Sequence, residues 1–248
     1  SSDLGALGVR MLGANGKPAP ESRRGLPSPM VAFYKMMGLC SRFPQHRSFG
    51  HYYMGYLPWD KPAKIEVVSG AFCMIRREAL LKVGLLDEDF FMYGEDIDLS
   101  YRILKGGYQN YYLPVDILHY KGESTQKSSF RYVHVFYEAM LIFFRKHYSG
   151  MSHLLSIPVK FAIYARASVA FTQMMTAKIR KSLGFFSPSH VDLSNQVLFD
   201  ADEMSYEEML HQLAQRSDEN IKLATYTKVI GKVITDREVM DKDEFGYL

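Results

Sequence analysis

The spacing of apolar and polar positions divides the middle of the chain into alternating strands and helices. The apolar run IEVVSGAFCMIRR, with small residues at its centre, predicts a buried strand. REALLKVG and EDIDLSYRILKGG repeat apolar residues at helical spacing and end on glycine, which predicts two helices with glycine caps. YQNYYLP and DILHY predict two short strands. Strands that alternate with helices indicate an α/β sheet.

Further predicted elements flank this block. Leu7 to Leu12 predicts a short strand that ends at the turn GANGKP, Val31 to Leu39 a short helix, and Tyr132 to Phe144 a strong one. Cys40 to Pro62 mixes Gly, Pro and aromatic residues and predicts a long irregular loop, a feature that is often functional. The C-terminal strings QVLFD, SYEEMLHQLAQ, KLATYT and KVIGKVI predict a strand, a helix and two strands, hence a small α/β tail.

The net charge of +3 conceals a segregation of charge into three blocks. Residues 1–138 carry 17 basic and 14 acidic side chains, residues 139–191 carry 7 basic and no acidic ones, and residues 192–248 carry 6 basic and 13 acidic ones. We therefore expect three different roles. The apolar residues Leu154, Ile157, Phe161, Tyr164, Phe171 and Met175 form one helical face of the basic block. That face suits an anionic membrane surface, or alternatively a helix packed on the domain with its basic side outward.

The two cysteines, Cys40 and Cys73, form no CxxC and no Cys/His cluster. We therefore expect neither a disulfide framework nor a zinc site, and we predict a reducing cytoplasmic location. No apolar run approaches the length of a membrane span. No nucleic-acid partner is expected, and the acidic tail is interpreted as a docking or oligomerisation module.

The stretch FFMYGEDIDLSYR concentrates carboxylates at the start of a predicted helix. Asp98 and Arg102 have the spacing of an ion pair on one helix face, which we interpret as solvated. Asp96 heads the apolar line that continues through Leu99 and Ile103, so we expect its carboxylate at the floor of a cleft. The helix dipole favours its ionised form, and an ionised carboxylate in a cleft can act as a general base. The alternative role is an N-terminal helix cap.

The string HYKGEST places His119 at the end of a predicted strand, followed by Lys121 and Ser124. Imidazole can bind a cation, and Lys and turn amides can bind a diphosphate. A structural histidine is the alternative.

The order SGAFCMIRREALLKVGLLDEDFFMYGEDIDLSYRILKGGY, then YLPVDILHYKGEST, resembles glycosyltransferases of family two, of the rhamnosyltransferase-like bacterial kind. The resemblance covers Gly5 to Ser149. It implies an α/β fold of the GT-A type and a catalytic acid pair of Glu95 and Asp96, with Asp96 as the base. It also implies a sugar pocket lined by Ser69, Gly70 and Ala71.

The resemblance further implies that His119 lies at a divalent cation, Mg or Mn, with Lys121 and Ser124 on the substrate. The implied reaction is inverting transfer from a nucleotide-diphospho-sugar to a saccharide or lipid-linked acceptor, in the synthesis of a surface polysaccharide at the inner face of the cytoplasmic membrane. We expect residues 1–149 to form the acceptor-side part of the catalytic domain, residues 150–186 a basic apolar helical segment, and residues 187–248 the tail.

Such enzymes need a nucleotide-binding half with an Asp-x-Asp motif before this region, and the chain shows no suitable motif there. The start, SSDLGALGVRM, has no Met and no basic leader, so we interpret the chain as a fragment that binds donor poorly by itself. The alternative function is a non-catalytic binding or assembly module derived from such an enzyme.

Overall fold

The computed structural model describes residues 2–119, 130–148, 196–219, 221–236 and 238–246, and the single positions 164, 168, 172, 175 and 176. The chain divides into two compact units. The first comprises Ser1–Val9, Pro20–Pro114 and Thr125–Phe186, and the second comprises Arg10–Ala19, Val115–Ser124 and Ser187–Leu248. Mixed helices and strands confirm the predicted α/β class.

One sheet is built from strands that lie far apart in the sequence. Its strands are β1 (Leu4–Leu12), β2 (Ala63–Ile65), β3 (Met74–Ile75) and β4 (Gln109–Leu118), in the order β2-β4-β1-β3. β3 is antiparallel to β1, with Ala6 opposite Ile75, and β2 is antiparallel to β4, with Ile65 opposite Asn110. β1 and β4 contribute residues to both compact units.

The helices of the first unit are α1 (Pro29–Met36), the single turn α2 (Leu39–Arg42), α3 (Arg77–Val83), α4 (Glu95–Lys105) and α5 (Phe130–His147). The predicted α3, α4 and α5 are confirmed, and Gly84 and Gly106 cap the ends of α3 and α4. α1 begins two residues earlier than predicted because Ser28 caps it through the Val31 amide and Pro29 opens its first turn.

The long buried strand predicted for IEVVSGAFCMIRR is wrong. Only β2 and β3 are strands, and Ser69, Gly70 and Ala71 lie in the turn between them. The hydrogen-bonded pairing of β2 with β4 ends after Ile65 because the next three amides donate to groups outside β4. The amides of Glu66 and Val67 donate to the Arg24 carbonyl, and that of Val68 donates to Ser100 Oγ.

The two short strands predicted after α4 form one strand, β4, which continues through Pro114. A proline removes only one ladder donor, so it does not by itself end a strand whose neighbours remain paired.

Helix α4 lies between two apolar clusters, which fixes its orientation. Ile97 packs with α5 in a cluster that includes Val67, Phe90, Ala139, Met140 and Phe143. Leu99 and Ile103 pack against the sheet with Ala6, Ile65, Val68 and Tyr112. Because α4 packs against other elements on both flanks, it cannot rotate about its axis, and the side chains of its first turn point in fixed directions.

The second unit contains a sheet formed by β5 (Gln196–Asp200), β6 (Lys222–Thr227), β7 (Lys232–Ile234) and β8 (Val239–Asp241), in that order, with α6 (Tyr206–Gln215) and the short α7 (Lys242–Gly246). β5 and β6 are parallel, and the other pairs are antiparallel. The predicted α/β tail is confirmed, except that KVIGKVI contributes only β7. Its first residues form a turn closed by the Gly231 amide on the Thr227 carbonyl at 3.0 Å.

The predicted helical face of the basic block and the residues Lys121 and Ser124 lie outside the described residues, apart from isolated positions. Within the described part of the chain, no helix combines the length and the apolar character that crossing a bilayer requires.

Candidate active site

A sharp turn of the backbone leads into α4. Tyr93 and Gly94 both have positive φ values, 66° and 90°. A Cβ on Gly94 would meet the Phe90 ring at 3.0 Å, so both the conformation and the packing require glycine. Gly94 has no side chain to cap the helix, and Glu95 and Asp96 occupy the first turn.

The Asp96 carboxylate is held through one oxygen. Its Oδ2 pairs with Nη2 of Arg24 and accepts the Gly70 amide at 3.1 Å. Among the described residues, none hydrogen-bonds Oδ1. The side chain is 17% exposed, so Oδ1 remains available to accept a proton from a ligand.

The turn of Ser69, Gly70 and Ala71 lies against the acid pair. A Cβ built on Gly70 would lie 3.6 Å from Asp96 Cβ and 3.7 Å from Glu95 Oε1. The structure therefore brings together the predicted catalytic pair and the glycine at the centre of the predicted sugar pocket. Their roles stay predictions.

Glu95 differs from its neighbour in environment. Burial raises the pKa of Glu95, and the adjacent Asp96 charge raises it further. Its Oε2 is buried and has no hydrogen-bond partner in the described part of the chain. A carboxyl group in this setting retains its proton to higher pH than an exposed one and can donate it to a ligand.

Arg24 is the site residue that the sequence reasoning missed. Its guanidinium pairs with the Asp96 carboxylate. Burial acts to lower the pKa of Arg24, but the Asp96 carboxylate outweighs it, so the pKa is raised. No local pattern marks this residue, since 72 positions separate it from Asp96.

The pair of His51 and Glu66, which the sequence also did not reveal, stabilises the long loop predicted for Cys40 to Pro62. His51 Nε2 lies 2.9 Å from Glu66 Oε2, and His51 Nδ1 lies 3.1 Å from the Tyr56 hydroxyl. The Leu26 amide donates to the same Glu66 oxygen. The hydrogen bond to Glu66 raises the pKa of His51. Burial acts to raise the pKa of Glu66, but its bonds to His51 and Leu26 lower it.

Asp98 corrects one prediction. Its ion pair with Arg102 is present, with Arg102 Nε 2.7 Å from Asp98 Oδ2, but the interpretation as a solvated pair is wrong because the Asp98 side chain is 0% exposed. Helix α5 covers this face of α4, and His147 Nε2 lies 2.6 Å from Asp98 Oδ1. Arg102 also donates to the carbonyls of Val83 and Leu85 at the end of α3. Asp98 is therefore a structural residue.

His119 follows β4, as predicted, and its amide donates to the Leu12 carbonyl at 2.8 Å. In the part of the chain that the structure describes, no group of three or more His, Cys, Asp or Glu side chains could hold a metal ion. The described residues thus supply no complete set of ligands for Mg or Mn. The cation and the role of His119 stay predictions.

The described part of the chain is thus an α/β protein with an ion-paired carboxylate beside a turn of small residues. Residues 43–206 match Glycosyl transferase family group 2, and the chain belongs to this family. The predicted family is thereby confirmed.

Two curated relatives are similar to the chain. Both carry the name N-acetylglucosaminyl-diphospho-decaprenol L-rhamnosyltransferase and come from two strains of Mycobacterium tuberculosis, CDC 1551 / Oshkosh and H37Rv. Each is 29% identical over 126 residues, which cover 50% of this chain and 39% of the relative. The chain therefore spans well under half the length of these relatives. No solved structure matches the chain significantly.

Proposed function

We propose that the protein transfers a sugar from a nucleotide-diphospho-sugar to a saccharide or lipid-linked acceptor, with inversion at the anomeric carbon. The observation that carries this proposal is the Asp96 carboxylate. Its Oδ2 is ion-paired to Arg24 and accepts the Gly70 amide, and among the described residues no group hydrogen-bonds its Oδ1.

Asp96 acts as the general base in a single displacement. Oδ1 takes the proton of an acceptor hydroxyl while that oxygen forms a bond to the anomeric carbon. The bond from the same carbon to the diphosphate oxygen breaks on the opposite face, and the electron pair leaves with the nucleoside diphosphate. Base catalysis of this kind contributes about 100- to 10,000-fold in rate.

The small residues beside the carboxylates suit a sugar ring in the site. A side chain larger than that of Gly70 would place its Cβ in contact with both Glu95 and Asp96. Glycine leaves this space for the acceptor hydroxyl or for the transferred sugar.

The acceptor class is supported by the relatives, whose name describes an acceptor in which N-acetylglucosamine is joined through a diphosphate to decaprenol. A lipid-linked acceptor of this chemistry places the enzyme at a membrane surface in the synthesis of a surface polysaccharide. The block of residues 139–191, with 7 basic and no acidic side chains, supplies the charge that an anionic inner membrane face would attract.

A transfer assay with the full-length protein tests the proposal. The acceptor is N-acetylglucosaminyl-diphospho-prenol, and the donors are a panel of nucleoside-diphosphate sugars that begins with a rhamnose donor. We expect one donor to yield an elongated lipid in the mass spectrum, and the anomeric proton of the product to show inversion. Retention of configuration would overturn the mechanism. Binding of the lipid without turnover of any donor would instead favour a non-catalytic binding module.

A further inference from the structure

We infer that Arg24 is a positioning residue, which holds the Asp96 carboxylate so that Oδ1 is directed to the acceptor hydroxyl. This inference rests on the proposed function, because it assigns a role to Arg24 only if Asp96 is the base.

Both described hydrogen bonds to the carboxylate end on the same oxygen. Arg24 Nη2 and the Gly70 amide donate to Oδ2, and in the described part of the chain nothing donates to Oδ1. Two donors on one oxygen restrict rotation of the carboxylate about its Cβ–Cγ bond. The remaining oxygen is therefore held in one orientation before any ligand arrives.

Arg24 is itself firmly anchored. Its carbonyl accepts the amides of Glu66 at 3.1 Å and Val67 at 2.9 Å, and its side chain is only 11% exposed. The support of Asp96 therefore comes from a buried residue whose backbone is itself fixed by two hydrogen bonds.

Charge supports the same role. An arginine retains its charge throughout the range in which enzymes work, so the guanidinium presents a positive charge to the Asp96 carboxylate at any working pH. Its role is electrostatic as well as steric, so a neutral side chain of similar length does not replace it.

The neighbouring residue offers a matched control. Arg23 is also buried, but its guanidinium stacks on Trp59 at 3.5 Å and donates to the Leu57 carbonyl. Arg23 and Arg24 are consecutive, and substitution of either one removes a buried guanidinium. Of the two, only Arg24 contacts Asp96.

The test is a double-mutant cycle in the full-length enzyme, assayed for sugar transfer. We expect Arg24→Gln to lower kcat by about 100-fold with little change in the donor KM, since a misplaced catalytic group costs about that much. In an Asp96→Asn background we expect Arg24→Gln to cost nothing further, because two residues that act as one unit are not additive. Arg23→Gln should lower kcat by the same factor in both backgrounds.

The outcomes separate the inference from the proposed function. If Arg24→Gln lowers kcat by equal factors with and without Asp96, the positioning role is overturned while the base assignment stands. If Asp96→Asn turns over like wild type, the base assignment itself is overturned. If Arg24→Gln does not fold, Arg24→Lys replaces it. A lysine keeps the positive charge but lacks the guanidinium that bonds Oδ2, and its smaller drop in kcat should likewise vanish in the Asp96→Asn background.

Discussion

His147 Nε2 lies 2.6 Å from Asp98 Oδ1, so the last turn of α5 is tied to the first turn of α4. The other oxygen of Asp98 accepts Arg102 Nε at 2.7 Å. Two acids that stand two positions apart on one helix therefore differ in kind. Asp98 on α4 bonds His147 of α5 and pairs with Arg102, which in turn bonds the end of α3. Asp96 presents an available oxygen at the site.

The first prediction concerns the stability contributed by Asp98. Asp98→Asn leaves Arg102 and His147 without their carboxylate, and the loss of one partner of a buried ion pair costs about 3–5 kcal/mol. We expect a loss of that size in the free energy of unfolding, measured by urea denaturation. Glu78→Gln is the control, because its pair with Arg76 is exposed and such pairs contribute about 0–1 kcal/mol. Equal losses in the two variants would contradict the structural role of Asp98.

The second prediction separates the two residues of the acid pair. Asp96→Asn keeps the size of the side chain but cannot accept the acceptor proton, so we expect kcat to fall about 100- to 10,000-fold with donor affinity nearly unchanged. Glu95→Gln should cost less, because Glu95 is not the group that accepts the acceptor proton in the proposed mechanism. Steady-state kinetics on the two variants provide the measurement. A larger loss for Glu95→Gln would move the base to Glu95.

The third prediction concerns pH and the pair of His51 and Glu66. The pKa of His51 is raised, so its contribution to stability is complete below its unfolded pKa of about 6.5 and is lost as the pH rises through the higher folded value. The pKa of Glu66 is lowered, so its contribution is present above its unfolded pKa of about 4.3 and is lost as the pH falls. The pair should therefore stabilise the fold most between about pH 5 and pH 6.5.

We expect the difference in free energy of unfolding between wild type and His51→Gln to be largest in that window and to shrink as the pH rises further. Thermal or urea unfolding from pH 5 to pH 8.5 supplies the measurement. Introducing His51→Gln into a Glu66→Gln background should remove most of this pH dependence, because the neutral amide no longer favours the imidazolium. A difference that stays constant with pH would show that the pair does not titrate in this way.

The fourth prediction compares two glycines of the site region. A Cβ on Gly25 would lie 2.5 Å from the His51 carbonyl oxygen and 2.7 Å from His51 Nε2, so the backbone must shift. We expect Gly25→Ala to lower the free energy of unfolding by about 1–3 kcal/mol. At Gly70 the nearest atom is at 3.6 Å, an ordinary contact. Gly70→Ala should therefore keep its stability but lose kcat/KM, because the methyl group occupies space beside the base.

Unfolding curves and transfer kinetics measured on both glycine variants decide this prediction. Wild-type activity in Gly70→Ala would show that no substrate group approaches that face of Asp96.

The sequence by itself determined the elements whose signals act within a few residues. Helix α4 begins after Gly94 and ends before Gly106 because caps and helical spacing are local properties. The same spacing identified the pair of Asp98 and Arg102, since residues four apart on a helix are neighbours. The order of motifs along the chain also sufficed to identify the family that the comparison confirmed.

Only the tertiary structure decided which of the carboxylates is buried and which residues hold the base. Asp98 is 0% exposed because α5 packs over it, and His147 stands 49 positions away in the sequence. The ion-pair partner of Asp96, Arg24, lies 72 positions away in the sequence. The turn of Ser69, Gly70 and Ala71 replaces a predicted strand because the amides of residues 66–68 donate to the Arg24 carbonyl and to Ser100 Oγ. These features arise from contacts between segments that are distant in the chain. A local pattern of apolar and polar residues shows which face of a helix or strand is buried, but it does not show which distant residues that face contacts.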